Sequence, residues 1–212
     1  MPDTLYQEFE DPTEAFAREP RAFCYDLAIG LINQAKAEAT LSWYTQTESV
    51  KAIILLLYCW NFAARETKRL TFDSVRNVLS TNEQNLRLLE QYTLLTFDET
   101  SELPIQTVFS QFREAFGQTG ATKALSLLNP RLFLMWDTRI RARLRRELVR
   151  GLDNGQTEDQ YILFLRKVRD YAAQYNFQQR LAPNAILAKK IDEYHYVRIV
   201  MAQSVLHVRD TA

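Results

Sequence analysis

The chain has 212 residues, 47% of them hydrophobic and 25% charged, and its 26 basic and 26 acidic residues balance to a formal net charge of zero. This length suffices for one large domain or two closely packed subdomains, and five glycines and six prolines are too few for a loop-rich β protein. Two cysteines without a Cys/His cluster, and no P-loop or dinucleotide fingerprint, indicate no disulfide framework, no metal site and no cofactor.

The N-terminus is acidic and polar, so it does not resemble a signal peptide. The most apolar run, 52–60, is too short to span a bilayer. We therefore expect a cytoplasmic protein without a membrane-spanning segment.

The charges are unevenly distributed along the chain. Residues 1–50 contain nine acidic and three basic residues, whereas residues 131–150 contain seven arginines and two acidic residues. A net charge of zero therefore does not exclude a polyanionic partner, because positive potential can be concentrated locally.

The spacing of apolar residues predicts helices along the whole chain. After an acidic N-terminal arm at about 1–19, either loosely structured or a first short helix, the predicted helices are 20–39, 46–68, 72–80, 82–95, 104–116, 121–128, 138–150, 157–175 and 184–205. Helix 46–68 is apolar nearly all round from Ile53 to Phe62, which predicts a central, buried helix. Residues 97–103 are predicted as an acidic loop and 151–155 as a break. The predicted fold class is all-α, with one multi-helix domain over 1–212 or two packed subdomains.

Lys123 is the first candidate functional residue. It follows the Gly-containing turn Gly117-Gln-Thr-Gly120 and stands at the start of a short apolar helix. The positive end of the helix dipole disfavours a charged lysine there and lowers the pKa of its amine, as a nucleophilic lysine requires. The alternative is a solvated surface lysine.

Asp137 is the second candidate. It follows the apolar segment 132–136 and precedes the next predicted helix. It can serve purely as the N-cap of that helix, or it can be a partly desolvated carboxylate with a chemical role.

Helix 138–150 carries an apolar stripe and, opposite it, a stripe of arginines. The arginine stripe consists of Arg139, Arg143, Arg146 and Arg150. Because guanidinium groups are permanently charged and forked, this stripe is suited to the phosphate backbone of a nucleic acid. Alternatively, acidic groups of the N-terminal third cover it, or it docks an acidic protein partner.

The order Gly120-Ala-Thr-Lys123-Ala-Leu-Ser-Leu-Leu, an apolar segment and Asp137-Thr-Arg-Ile resembles the core of helix-hairpin-helix DNA glycosylases of the 8-oxoguanine type. The resemblance implies a helix-hairpin-helix glycosylase-like fold. It implies that Lys123 is the Schiff-base nucleophile and that Asp137 stabilises positive charge at the sugar. It also implies DNA contacts from the backbone around Gly117, Gly120 and Thr122.

The resulting hypothesis is a DNA-binding protein, possible base-excision glycosylase and abasic-site lyase, with Lys123 and Asp137 as catalytic residues. Two alternatives stay open: a DNA-binding relative without catalysis, and a helical protein-interaction module that uses helix 138–150. Aromatic residues that could stack on a flipped base are Trp43, Trp60, Trp136 and Phe133. His195 is interpreted as structural, and Asp192 with Glu193 as a solvated helix face rather than a cation site.

Overall fold

The computed structural model describes residues 4–60, 70–147 and 157–201, and the side chains of these residues except Thr4 and 145–147. Within these ranges no residue forms a strand, which confirms the all-α prediction. The α-helices are α1 Thr4–Gln7, α2 Thr13–Phe16, α3 Ala22–Glu38, α4 Thr47–Trp60, α5 Phe72–Leu89, α6 Glu99–Leu128, α7 Thr138–Glu147, α8 Thr157–Gln174 and α9 Leu187–His195. A short 3-10 helix spans Phe177–Arg180, and a π-helical turn, Tyr196–Met201, continues α9. The predicted break at 151–155 lies outside the described residues.

Helix α4 lies in the centre of the described core, as its apolar sequence predicts. Val50, Ala52, Ile53, Leu56 and Leu57 are fully buried, and α4 packs against α3, α5 and α6. The predicted continuation to residue 68 lies outside the described residues. The last described residue of α4, Trp60, reaches the candidate site.

The N-terminal segment is part of the core rather than a loose arm. It forms α1 and α2 and buries Leu5, Tyr6 and Phe9. The Tyr6 hydroxyl lies 2.7 Å from Nε2 of His195, and the Tyr194 hydroxyl donates to the Leu5 carbonyl at 2.5 Å. These bonds join the start of the chain to α9.

The prediction of two helices at 72–80 and 82–95 is wrong, because α5 runs unbroken from Phe72 to Leu89. Its N-cap is Thr71, whose hydroxyl accepts the Ser74 N–H at 3.1 Å. Asn82 does not break the helix, since its amide donates to the Val78 carbonyl and to Gln111 of α6, both at 2.8 Å. A buried asparagine with two partners thus replaces the expected interruption.

The prediction of an acidic loop at 97–103 is also wrong. Asp98 is the N-cap of α6 and accepts the N–H groups of Thr100 and Ser101, so the helix begins at Glu99. The acidic residues that suggested a loop instead lie at the positive end of the helix dipole, where they are favourable. Pro104 lies inside the second turn rather than at the start.

Helix α6 bends at Gly117 and thereby positions the candidate site. Gly117 has φ 72° and ψ 168°, a conformation that glycine adopts far more readily than any residue with a Cβ. The predicted helices 104–116 and 121–128 are consequently two limbs of α6, 99–116 and 118–128. The second limb is buried along most of its length and ends at Asn129, where an extended segment leads to Asp137 and α7.

Helix α9 begins at Leu187, three residues after the predicted start, and passes directly into the π-helical turn. Such turns recur at functional sites because they shift the side chains that follow them. Here the turn places Tyr196 and Val200 at the candidate site. No helix in the described ranges is both long and apolar enough to cross a bilayer.

Candidate active site

An open cavity of about 650 Å³ lies where the bend of α6, the start of α7 and the π-helical turn meet. Its size is within the range of ligand-binding clefts. Its walls are formed by Arg21, Trp60, Phe116, Gly117, Gln118, Thr119, Gly120, Lys123, Asp137, Thr138, Arg139, Arg141, Tyr196 and Val200.

Lys123 is buried at the back of this cavity, with only 6% of its surface exposed. Its amine donates a hydrogen bond to the Trp60 carbonyl and lies 5.7 Å from the centre of the Trp60 ring. Within the described part of the chain it forms no ion pair with a carboxylate. The alternative of a solvated surface lysine is therefore wrong.

Burial lowers the pKa of the Lys123 amine to about 8, against the opposing effect of the Asp137 carboxylate and with a further lowering by Arg21. The main cause differs from the helix dipole invoked from the sequence, since Lys123 lies more than a turn beyond Gly117. The consequence is the same: a substantial fraction of the amine is unprotonated near neutral pH.

Asp137 combines the two roles considered for it. Its Oδ1 accepts the Ile140 N–H at 2.8 Å, which makes it the N-cap of α7. It is also half-buried and lines the same cavity as Lys123. Capping fixes the orientation of the carboxylate at the cavity wall.

Lys123 and Asp137 are held near each other by a hydrogen bond between their sequence neighbours. The Trp136 N–H donates to the Thr122 hydroxyl at 3.1 Å. Both residues also line a small enclosed pocket of about 20 Å³ beneath the cavity. The amine and the carboxylate therefore share one cleft.

Of the four aromatic residues considered for stacking, Trp60 is the one that lines the cavity. Its ring lies 5.2 Å from that of Tyr196, which forms part of the same wall and was not predicted. Trp136 stacks inside the core, Phe133 is fully buried, and Trp43 stacks on Tyr44 away from the cavity.

Arg21 and Tyr196 are site residues that sequence reasoning missed. Arg21 pairs with Glu19 at 2.6 Å and donates to the Tyr196 hydroxyl at 2.6 Å, and that hydroxyl donates to Glu19 at 2.8 Å. The two residues are 175 positions apart in the chain. No local pattern indicates such a contact.

Only the first turn of α7 borders the cavity. The arginines that line the cavity therefore differ from those of the predicted stripe. Arg139 is exposed and lines the cavity, and Arg141, not predicted, lines it too. Arg143 is half-buried and is not part of the wall. Arg146 and Arg150 lie outside the residues whose side chains are described.

Arg141 has an unsatisfied donor. Its Nη2 donates to Thr138 at 3.1 Å, whereas its buried Nη1 has no hydrogen-bond partner among the described residues. Burial lowers the pKa of Arg141, with Asp137 opposing that shift. A buried guanidinium nitrogen without an acceptor at a cavity wall is suited to an anionic ligand.

Of the three residues predicted to contact DNA through their backbone, two line the cavity and the third does not. Gly117 and Gly120 line the cavity. Thr122 is fully buried, donates to the Thr119 carbonyl at 3.1 Å and accepts from Trp136. Its position is that of a residue that joins two segments behind the cavity rather than one that contacts a ligand.

A second group of charged residues lies beneath the cavity. Lys189, Asp192 and Glu193 of α9 line the enclosed pocket, and Asp192 and Glu193 are 4% and 7% exposed. The interpretation of Asp192 and Glu193 as a solvated helix face is therefore wrong. In the described part of the chain no cluster of metal-ligating residues is present.

His195 is fully buried beside Tyr6, and burial lowers its pKa to about 3. A neutral histidine with a tyrosine partner inside the core agrees with its interpretation as structural.

Comparison with protein families, with curated proteins and with solved structures gives no match for this chain.

Proposed function

We propose that the protein binds DNA and acts as a base-excision glycosylase and abasic-site lyase, with Lys123 as the Schiff-base nucleophile and Asp137 as the stabilising carboxylate. The observation that carries this proposal is the position of the Lys123 amine. It is buried, forms no ion pair with a carboxylate among the described residues, and lies in the same cleft as Asp137. The resemblance of 117–140 to helix-hairpin-helix DNA glycosylases of the 8-oxoguanine type supplies the substrate class.

The site has the groups that the reaction requires. The neutral amine of Lys123 attacks C1′ of the sugar while the bond between C1′ and the base breaks, and the base leaves with the bonding electron pair and takes up a proton. Asp137 stabilises the positive charge that develops at the sugar. The attacking nitrogen gives up one proton to the departing base. The C1′–O4′ bond then breaks as the nitrogen lone pair forms the C1′=N bond, and O4′ takes up a proton from solvent to become a hydroxyl, which leaves the protonated imine that borohydride reduces.

The charge of the cavity favours a polyanion. Among the described residues, the cavity wall carries Arg21, Arg139 and Arg141 against the one carboxylate of Asp137, and Arg21 is itself paired with Glu19. The unpartnered Nη1 of Arg141 would bond a phosphate oxygen. Trp60 and Tyr196 offer aromatic surface for an extruded base.

Borohydride trapping on duplex DNA with an abasic site or 8-oxoguanine tests the catalytic proposal. Wild type is expected to give a covalent adduct and Lys123→Ala none, because Lys123 is the only lysine among the described residues that line the cavity. Lys51→Ala is the matched control, since Lys51 is exposed and lies outside the cavity. It should trap like wild type.

DNA affinity measured against salt concentration tests the binding proposal separately. Arg139→Ala and Arg141→Ala should each reduce the slope of log affinity against log salt by about 1. Arg76→Ala, which removes an exposed arginine of α5 remote from the cavity, should leave it unchanged. Salt-sensitive binding without an adduct would favour the non-catalytic relative, and neither adduct nor binding would favour the interaction module.

A further inference from the structure

Asp192 of α9 is bonded to both segments that carry the candidate catalytic residues. Its Oδ1 accepts the Met135 N–H at 2.8 Å, and its Oδ2 accepts the Ser126 hydroxyl at 3.0 Å. Ser126 lies one helical turn after Lys123, and Met135 lies two residues before Asp137. One carboxylate therefore connects the Lys123 helix to the segment that leads to Asp137.

We propose that Asp192 is a positioning residue for Lys123 and Asp137, holding the second limb of α6 and the segment 129–137 in register, a role that rests on the function proposed above. The bond between Trp136 and Thr122 fixes the same two segments from one side. Asp192 fixes them one turn further along the same face of α6, through Ser126. Together the two contacts set the separation between the amine and the carboxylate.

The burial of Asp192 is unfavourable for the fold, which sets it apart from a residue kept only for packing. Burial raises its pKa to about 7, although Lys189 and the bonds from Met135 and Ser126 favour the ionised form. Replacing a whole buried ion pair with well-packed apolar residues is often neutral or stabilising. A carboxylate kept here is best explained by the two bonds it makes.

Asp192 also lies next to the reacting groups rather than far from them. It lines the small enclosed pocket with Lys123 and Asp137. Lys189 and Glu193 of the same helix line that pocket, as does Tyr25 of α3. A shift of Asp192 would therefore be transmitted over a single layer of side chains.

Two reactions, each compared between wild type and Asp192→Ala, distinguish a loss of positioning from a general loss of stability. The first is labelling of Lys123 with a small aldehyde and cyanoborohydride, which requires only an accessible amine. The second is borohydride trapping on abasic-site DNA, which requires the amine and Asp137 in register. We expect trapping to fall about 10²-fold, the effect of a misplacement of roughly 1 Å, while labelling of Lys123 stays close to wild type.

Asp192→Asn is the conservative variant. Its amide oxygen can accept the Met135 N–H, and its amide nitrogen can donate to the Ser126 hydroxyl, so trapping should return towards the wild-type rate. Asn82→Ala is the matched control, because Asn82 is similarly buried and makes two hydrogen bonds away from the site, one to Val78 within α5 and one to Gln111 of α6. Asn82→Ala should lower the free energy of unfolding without changing the ratio of the trapping rate to the rate of Lys123 labelling.

An unchanged ratio of trapping to labelling in a folded Asp192→Ala variant would overturn the positioning role. If Asp192→Ala does not fold, Ser126→Ala decides, because it removes one of the two bonds and should lower the ratio by a smaller factor; an unchanged ratio there also overturns it. Wild-type protein that is labelled at Lys123 but never trapped on DNA would instead contradict the proposed function, and the role of Asp192 would fall with it.

Discussion

Two lysines are buried within the same part of the molecule, and their surroundings differ. The Lys189 amine lies 3.4 Å from Glu193 and 3.6 Å from the centre of the Tyr25 ring. Lys123 has the Trp60 carbonyl as its hydrogen-bond partner and no carboxylate within ion-pair distance among the described residues. Both amines lie against the small pocket beneath the cavity, but Lys123 also opens onto the cavity.

The difference shows how the same residue type can serve two purposes. Burial lowers the pKa of both amines, and at Lys189 this is opposed by Glu193 and Asp192, whereas at Lys123 only Asp137 opposes it and Arg21 adds to it. A lysine paired with a carboxylate in this way supports the fold. A buried lysine without such a partner, facing an open cavity, is available as a nucleophile.

Replacing each lysine with methionine should separate the two purposes most clearly. Lys189→Met leaves buried Asp192 without the cation beside it, whereas Glu193 keeps Lys190 at 2.8 Å, so we expect a loss of about 3 kcal/mol in the free energy of unfolding. Lys123→Met removes a desolvated amine and should unfold at a urea concentration close to that of wild type. Equal losses in the two variants would contradict the comparison.

Asp137→Asn tests whether the carboxylate acts on Lys123 beyond capping α7. Asparagine is an equally good N-cap, so the stability should change little. The lost anion should slow trapping on abasic-site DNA by about 10²-fold and lower the pKa of Lys123 below its wild-type value. A trapping rate equal to that of wild type would leave Asp137 with the capping role alone.

The pH dependence of trapping should follow the amine. Because the folded pKa of Lys123 is lowered to about 8, the neutral fraction rises with pH up to about 8 and then levels off. Between pH 7 and pH 6 the trapping rate should fall about tenfold. Rates that keep rising to the ordinary lysine pKa of 10.5 would indicate that the reacting amine is a solvated one.

The lowered pKa of Lys123 also makes the free energy of unfolding depend on pH. Between about pH 8 and 10.5 the unfolded chain binds more protons at Lys123 than the folded one, so stability contributed by this residue rises with pH. Asp192 acts in the opposite sense, because its raised pKa makes stability fall as pH rises from about 4 to about 7. Urea unfolding of Asp192→Asn across pH 4–7 should show a shallower fall than wild type.

Gly117→Ala should have a smaller effect on stability than Lys189→Met. No atom lies within 4 Å of the place a Cβ would take, so the change tests backbone conformation alone. With φ 72° and ψ 168° the backbone lies in a region that is essentially restricted to glycine, where alanine costs about 2 kcal/mol. The free energy of unfolding should fall by that amount, and an unchanged value would mean that the bend at Gly117 does not depend on glycine.

Local sequence predicted the helices and the two central residues of the site, but not their surroundings. Lys123 and Asp137 lie close in the chain, on either side of one turn, so a short pattern is enough to suggest them. Asp192 bonds their neighbours Met135 and Ser126 from 57 and 66 positions away, and Arg21 meets Tyr196 across 175 positions. Apolar periodicity carries no information about such contacts.

The errors in the helix boundaries have a similar origin. Asn82 and the acidic residues around Asp98 have strong preferences for loops and caps, and their roles were decided by partners elsewhere or by position in a helix. The arginine stripe was drawn from helical periodicity alone. Which of its members face the cavity depends on where the π-helical turn packs against α7, and that is a tertiary contact.

Locating the trapped adduct tests the central claim most directly. Wild-type protein is reduced with borohydride on abasic-site DNA at pH 8, digested, and examined by peptide mass spectrometry. We predict that the sugar remnant is on Lys123, with Lys189 unmodified. An adduct on Lys189, on an exposed lysine or on the N-terminal amine would contradict the claim that Lys123 is the nucleophile.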